Sequence, residues 1–197
     1  GVGGGAAHTT AFASLMHNIV GQMLLSIKSD VAADKAIAAY KSGEKPVVYL
    51  SNTMEAFVND FARSEGLKPG DVVDLDFGDV VARYLQRTLR ITLKGPDGET
   101  ERVEIPVEQL SGDLQDRYLE ALNVIRTGDY SSMPVSPIDW VRHRLTKAGM
   151  KVTEITGRGI MTDYSGAKPK LIARPKRETG ATGKAISIAG FNSGSLD

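Results

Sequence analysis

Lys45-Pro46-Val47-Val48-Tyr49-Leu50-Ser51-Asn52-Thr53-Met54-Glu55 decides the fold class. Val47 to Leu50 is an unbroken apolar run with a proline ahead of it and small polar residues behind it. A short run of this kind reads as a strand buried on both faces, as parallel sheets use. Upstream, Phe12, Leu15, Met16, Ile19, Val20, Met23, Leu24 and Ile27 recur at helical steps. Ser29 or Asp30 can cap a second helix over 31–40 that ends near Gly43. Downstream, Thr53 and Glu55 open a helix carrying Phe57, Val58 and Phe61, which stops at Gly66. Helix, strand and helix in that order are the grammar of a layered α/β domain.

The middle of the chain departs from that grammar. A helix is expected over 77–89, with Val80, Val81, Tyr84 and Leu85 on one face. Residues 90–94 and 101–105 alternate in polarity around Gly95-Pro96-Asp97-Gly98, which predicts a β-hairpin with one solvated face. Another helix follows over 109–125. The stretch 67–135 therefore reads as an α+β insertion. The α/β pattern resumes at Ser136-Pro137-Ile138-Asp139, with serine as cap and proline in the first turn. That helix runs to Ala148; a strand is expected at 151–155, a loop at 157–159, an edge strand at 170–174 and a short helix at 185–191. The Gly/Ala-rich start, 1–8, is expected to be disordered or left over from expression.

Composition bounds the chemistry. The chain has 197 residues, with 24 Lys+Arg balancing 24 Asp+Glu, and no cysteine. Zero cysteines exclude disulfide scaffolds, Cys-based zinc sites and a thiol nucleophile. No apolar stretch reaches membrane-spanning length and no signal peptide is evident, so no membrane partner and a cytoplasmic location are expected. The charge balance exerts no global pull toward nucleic acid, so any such binding must come from a local patch.

His8, His17 and His143 are scattered without ligand spacing, and no metal site is assigned. Thr179-Gly180-Ala181-Thr182-Gly183-Lys184-Ala185 only echoes a phosphate-binding loop. Glu178 stands where the first glycine belongs and Ala185 where the Mg²⁺-binding hydroxyl belongs. Asp71, Asp74, Asp76 and Asp79 precede a helix, where carboxylates favour the positive end of the dipole. No G-x-S-x-G elbow exists, and no catalytic residue is assigned. The informative positions are strand ends, where α/β sheets seat their ligands. Ser51, Asn52 and Thr53 offer hydroxyls and helix-start amides suited to an anion. Gly157 and Arg158 follow the strand expected at 151–155, and a basic run of Lys168, Lys170, Arg174, Lys176 and Arg177 lies close in sequence. If the two strands are parallel neighbours, both loops lie on one rim.

The segments Lys45-Pro46-Val47-Val48-Tyr49-Leu50-Ser51-Asn52-Thr53-Met54-Glu55 and Glu154-Ile155-Thr156-Gly157-Arg158 resemble the second RecA-like domain of strawberry-notch-type helicases. These are superfamily 2 helicase-like ATPases whose bacterial, phage and plasmid relatives are often described as methylase/helicase proteins. The tail Ile186-Ser187-Ile188-Ala189-Gly190-Phe191-Asn192-Ser193-Gly194-Ser195-Leu196-Asp197 is similar to the approach to that family's S-T-G-like segment, and Met16-His17-Asn18 to its leading helix. The likeness leaves 67–135 untouched.

The resemblance implies a three-layer α/β fold, a RecA-like (P-loop NTPase-type) half-domain in two parts, 9–66 and 136–197, stopping before the S-T-G-like segment. It implies one lobe of a larger nucleic-acid-dependent ATPase, inactive alone. A P-loop, a D-E-x-x box and a late arginine motif are all missing from these residues. ATP and Mg²⁺ would thus belong to the parent protein and no cofactor to this piece. Its partners would be the first RecA-like lobe of the parent chain and a DNA or RNA backbone, gripped by Ser51, Asn52, Thr53, Gly157 and Arg158, with Lys168, Lys170 and Arg174 beside them. Contacts of that type position a protein and carry no sequence code. The rival reading is a protein-interaction module without motor role, docking through the 90–105 hairpin.

Overall fold

A computed structural model of the chain describes residues 4–53, 55–94 and 98–197. The fold mixes helix with two small antiparallel sheets. In order the elements are helices α1 (Gly4–Lys41), α2 (Glu55–Ser64) and α3 (Phe77–Arg87), then strands β1 (Arg90–Lys94) and β2 (Thr100–Glu104). Helices α4 (Gly112–Thr127) and α5 (Pro137–Lys147) follow, then strands β3 (Ile160–Asp163) and β4 (Lys170–Ala173) and helix α6 (Gly180–Ser193). Two compact units result: Gly1–Met23 with Leu75–Met133, and Leu24–Asp74 with Pro134–Asp197. No helix among the described residues is long and apolar enough to cross a membrane.

In the first unit, Asp76 and Asp79 form a reciprocal capping box at the start of α3, each carboxylate accepting from the other's backbone N–H (2.9 and 3.0 Å). This satisfies the orphan amides that every helix start exposes. Phe77 and Val80 of α3 are fully buried. Tyr130 packs between two glycines: a Cβ at Gly78 would meet its ring at 2.7 Å and one at Gly128 at 2.8 Å. β1 and β2 pair in the expected hairpin, Arg90 opposite Glu104 and Lys94 opposite Thr100. Its turn residues 95–97 lie outside the described set.

In the second unit, Ala33 and Ala36 present a small-residue face to Val141 and Leu145, which are spaced i, i+4 on α5. Met150 completes this core, with Val48 and Val152 packed against it. α5 can deliver Met150 there because Gly149 turns the chain at φ +88°, letting the Met150 amide return to the Leu145 carbonyl at 3.2 Å.

Four expectations are corrected. The two N-terminal helices are one: Ser29 donates back to the Ser26 carbonyl at 2.6 Å, inside the helix, and caps nothing. Residues 4–8 belong to that helix as well, while 1–3 fall outside the described residues. The stretches 46–50 and 151–155 pack on the core through Val48 and Val152, but neither forms a strand. Finally, β4 is not an edge: β3 flanks it on one side and 70–73 on the other, through Gly70 N–H to Leu171 O (2.7 Å) and Leu171 N–H to Asp71 O (2.9 Å).

The glycine-rich stretch that echoes a phosphate loop serves packing instead. Gly183 lies in α6 where a Cβ would come within 2.7 Å of the Glu178 carbonyl carbon and 2.9 Å of the Arg177 oxygen. Both are backbone atoms of the turn Lys176–Glu178 and cannot swing aside. Gly183→Ala should therefore destabilise the unit by about 1–3 kcal/mol, read from the urea midpoint. An unchanged midpoint would mean that α6 and the turn separate at no cost.

Candidate functional site

The two loops singled out from the sequence do meet. Glu55, in the first turn of α2, accepts a hydrogen bond from the Gly159 amide at 2.8 Å. The loop following 46–50 is thereby tied to the loop following 151–155, and Thr53 and Thr156 line the same groove. Ser51, Asn52 and Gly157 are exposed on this rim. Thr53 accepts loosely from the Glu55 amide at 3.4 Å, a weak cap for α2.

The arginines expected to line the rim lie inside. The Arg158 side chain is only 2% exposed. Its Nε donates to Glu154 at 2.6 Å, Nη1 to Asp139 at 2.8 Å, and Nη2 to both carboxylates. The planar fork thus grips two carboxylates at once, the geometry that favours Arg over Lys in buried pairs. Arg174, with no exposed side-chain surface, donates to the carbonyls of Arg158 (2.9 Å), Glu154 (3.1 Å) and Glu178 (3.3 Å) and to the Thr156 hydroxyl (3.1 Å). Its Nε has no partner. Arg142 closes the set with a two-pronged contact to Glu178 at 2.6 and 2.8 Å. Three guanidiniums and three carboxylates form this neutral cluster. Neither Arg158 nor Arg174 has a free face for a phosphate.

The remaining basic residues are displaced. Lys170 opposes Asp163 at the far end of the β3–β4 hairpin, whereas Ile160, next to the rim loop, opposes Ala173. Three residues of strand separate those ends by about 10 Å. Lys168, at the same far end, pairs with Asp74 at 3.3 Å.

Asp139 anchors the cluster from the first turn of α5. Ser136 stands at the N-cap, but its hydroxyl donates to Asp139 at 2.6 Å instead of accepting from the helix. The Thr162 amide adds a further bond to Asp139 at 2.7 Å. The Ser136 amide donates to the Tyr164 hydroxyl at 3.1 Å, and burial pushes that phenol well above its usual range. Burial alone would raise Glu154, but the Arg158 hydrogen bonds and charge, the Thr156 hydroxyl and Arg174 outweigh it and hold Glu154 below the usual carboxylate range. Glu178 is lowered in the same way, against burial, chiefly by Arg142.

Sequence reasoning missed Glu55, Asp139, Glu154 and Glu178. The i, i+4 spacing of Glu154 and Arg158, and Asp139 three residues after a capping serine, were the available signals. Among the described residues no group of three His, Cys, Asp or Glu gathers to hold a metal ion. The chain finds no match among family models, curated proteins or solved structures.

Proposed function

We propose that this chain is the second lobe of a strawberry-notch-type, nucleic-acid-dependent ATPase. In this reading it touches a DNA or RNA backbone through neutral donors on the rim of Ser51, Asn52, Thr53 and Gly157. The observation that carries the reading is the 2.8 Å bond from Gly159 to Glu55, which draws together the two loops bearing the S-N-T and T-G-R segments. A three-layer RecA-like sheet is part of the same proposal, built on the extended segments 46–50 and 151–155. Arg158 then acts as a positioning residue: it locks the loop from beneath, while Glu55 holds the Gly159 amide from the other loop.

ATP and Mg²⁺ are assigned to the first lobe of the parent chain. The residues here do not fit a nucleotide: Glu178 faces Arg142 and Gly183 is packed against backbone. An isolated lobe therefore binds a strand without hydrolysing anything.

A labelled single-stranded oligonucleotide, followed by anisotropy between about 50 and 200 mM salt, tests this. Binding should be indifferent to sequence, with a log–log salt slope shallower than about 2, because neutral donors release few counterions. Ser51→Ala with Asn52→Ala should weaken it about tenfold, two hydrogen bonds' worth, while Lys168→Ala should leave it unchanged. No binding, or a steep slope that collapses with Lys168→Ala, overturns the proposal.

The rival reading, a protein-interaction module docking through the 90–105 hairpin, is favoured by one observation: within 67–135, Leu93 on β1 and Val124 on α4 are 48% and 63% exposed.

A further inference from the structure

The peptide joining Arg158 to Gly159 is anchored from its buried side. The Arg158 carbonyl accepts from Arg174 Nη1 at 2.9 Å, and Arg174 has no exposed side-chain surface, so that carbonyl points into the charged cluster. The peptide is trans, and its N–H therefore lies opposite the carbonyl and points out to the exposed rim. The Gly159 carbonyl is held as well, by the Arg174 amide at 3.0 Å. The cluster thus fixes one amide donor in an outward direction, with a guanidinium polarising the peptide from behind.

What meets that donor is a carboxylate. Glu55 accepts from it at 2.8 Å, and among the described residues the Glu55 carboxylate has no other partner. Asp139, Glu154 and Glu178 are each gripped by a guanidinium, whereas half-buried Glu55 hangs on a single bond with no cation beside it. A fixed N–H facing an anionic oxygen is also the contact that a backbone amide makes with a phosphate. The glycines at the seat are a second sign of a ligand. Neither Gly157 nor Gly159 has a positive φ, and a Cβ on either would meet nothing within 4 Å. The fold itself asks for no glycine at these two positions; close approach of a ligand to the backbone does.

We propose that the Gly159 amide is a phosphate seat and that Glu55 fills it at rest as an internal competitor. This rests on the strand-binding reading above and adds its control: the rim is closed until a phosphate displaces the carboxylate. Glu55 blocks the seat and also repels, because it sets a negative charge where an anion has to land. A free phosphate brings one contact and competes poorly. A nucleic-acid strand brings contacts to Ser51 and Thr53 along with it, and those linked contacts let it win.

Glu55→Gln keeps an oxygen acceptor for the Gly159 amide and removes the charge. In the full chain, inorganic phosphate should shift the Gly159 amide resonance of this variant saturably, at a concentration at least fivefold below that needed by wild type. The labelled single-stranded oligonucleotide should bind the variant at least fivefold tighter. Adding Gly159→Ala should cancel that gain and leave the thermal midpoint unchanged, since the methyl fits the fold and crowds only the seat. A Gly159 resonance that phosphate does not move, or moves equally in both proteins, overturns the proposal. Oligonucleotide binding that is indifferent to Glu55→Gln overturns it too, and leaves the strand-binding lobe intact. An oligonucleotide that binds neither protein, while phosphate still titrates Gly159 in the variant, overturns the strand-binding lobe and leaves the seat standing.

Discussion

Arg158→Ala is expected to lower the stability of the unit Leu24–Asp74 with Pro134–Asp197 by about 3–5 kcal/mol. The reason is the state of what remains. Asp139 and Glu154, with side chains 1% and 7% exposed, would lose the guanidinium that neutralises both. A buried carboxylate without its partner costs more than the pair was worth. Arg158→Lys keeps the charge but replaces a planar fork with a point donor, so it should recover less than half of the loss. The charge-balanced double replacement Arg158→Met with Asp139→Asn removes one charge of each sign, keeps the cluster neutral and should fall closer to wild type than Arg158→Ala does. Trp140, the one tryptophan, is a local reporter: its indole donates to Asp30 at 2.8 Å and packs edge-on to Tyr164. Urea titrations followed by its fluorescence give the comparison. If Arg158→Ala unfolds within about 1 kcal/mol of wild type, the cluster is not the structural centre described above.

The same result bears on function. A variant at Arg158 that fails to bind an oligonucleotide reports a lost fold before it reports a lost contact. Ser51, exposed on the rim, is where a binding defect can be separated from an unfolding defect.

Local signals in the sequence proved readable wherever a few adjacent residues decide the outcome. Asp76 and Asp79 sit three apart across the start of an apolar helix and form the cap that spacing implies. The hairpin follows from alternation on both sides of an Asp-Gly turn. The rim was half legible: one loop follows an apolar run and the other a segment expected as a strand, and the Gly159–Glu55 bond shows that the loops meet. What could not be read is the direction of Arg158. A charged side chain between two glycines is expected in solvent, because charge is almost never buried without a partner. Here the partners exist, but Asp139 comes from another helix, and that pairing depends on the finished fold. The segment 46–50 shows the same limit from the other side. Its residues specify an extended chain, yet strand pairing is non-local, and nothing within 46–50 names the neighbour. α1 shows a third case: Ser29 can cap or continue a helix, and with alanines following it the helix continues.

Acid should dismantle this cluster in a direction fixed by its carboxylates. Glu154 and Glu178 are both held below their ordinary range in the folded state, against the opposing pull of burial. A group lowered on folding contributes stability that is complete above its unfolded value, about 4.3 for glutamate, and lost as pH falls through its folded value. Stability should therefore be flat from neutral pH down to about 5 as far as these two groups are concerned, then fall steeply below about 4.3. Glu178→Gln removes one of the two proton sites. At neutral pH it should cost about 1.5–3 kcal/mol, since Arg142 loses a charged two-pronged acceptor. Below pH 4 it should cost progressively less, because the unfolded wild-type chain then takes up a proton at Glu178 that the folded state still resists. The acid limb of the variant's stability profile should be shallower by up to one proton's worth, about 1.4 kcal/mol per pH unit. Asp163, lowered by the Ser165 amide and hydroxyl, titrates identically in both proteins and cancels from the difference. Urea midpoints of Trp140 fluorescence at about pH 7, 5 and 3 make the comparison. Profiles that run parallel across this range would mean that Glu178 carries no charge-dependent share of the fold. A gap that widens in acid would reverse the sign of the linkage and place the Arg142–Glu178 contact outside the groups that hold this unit together.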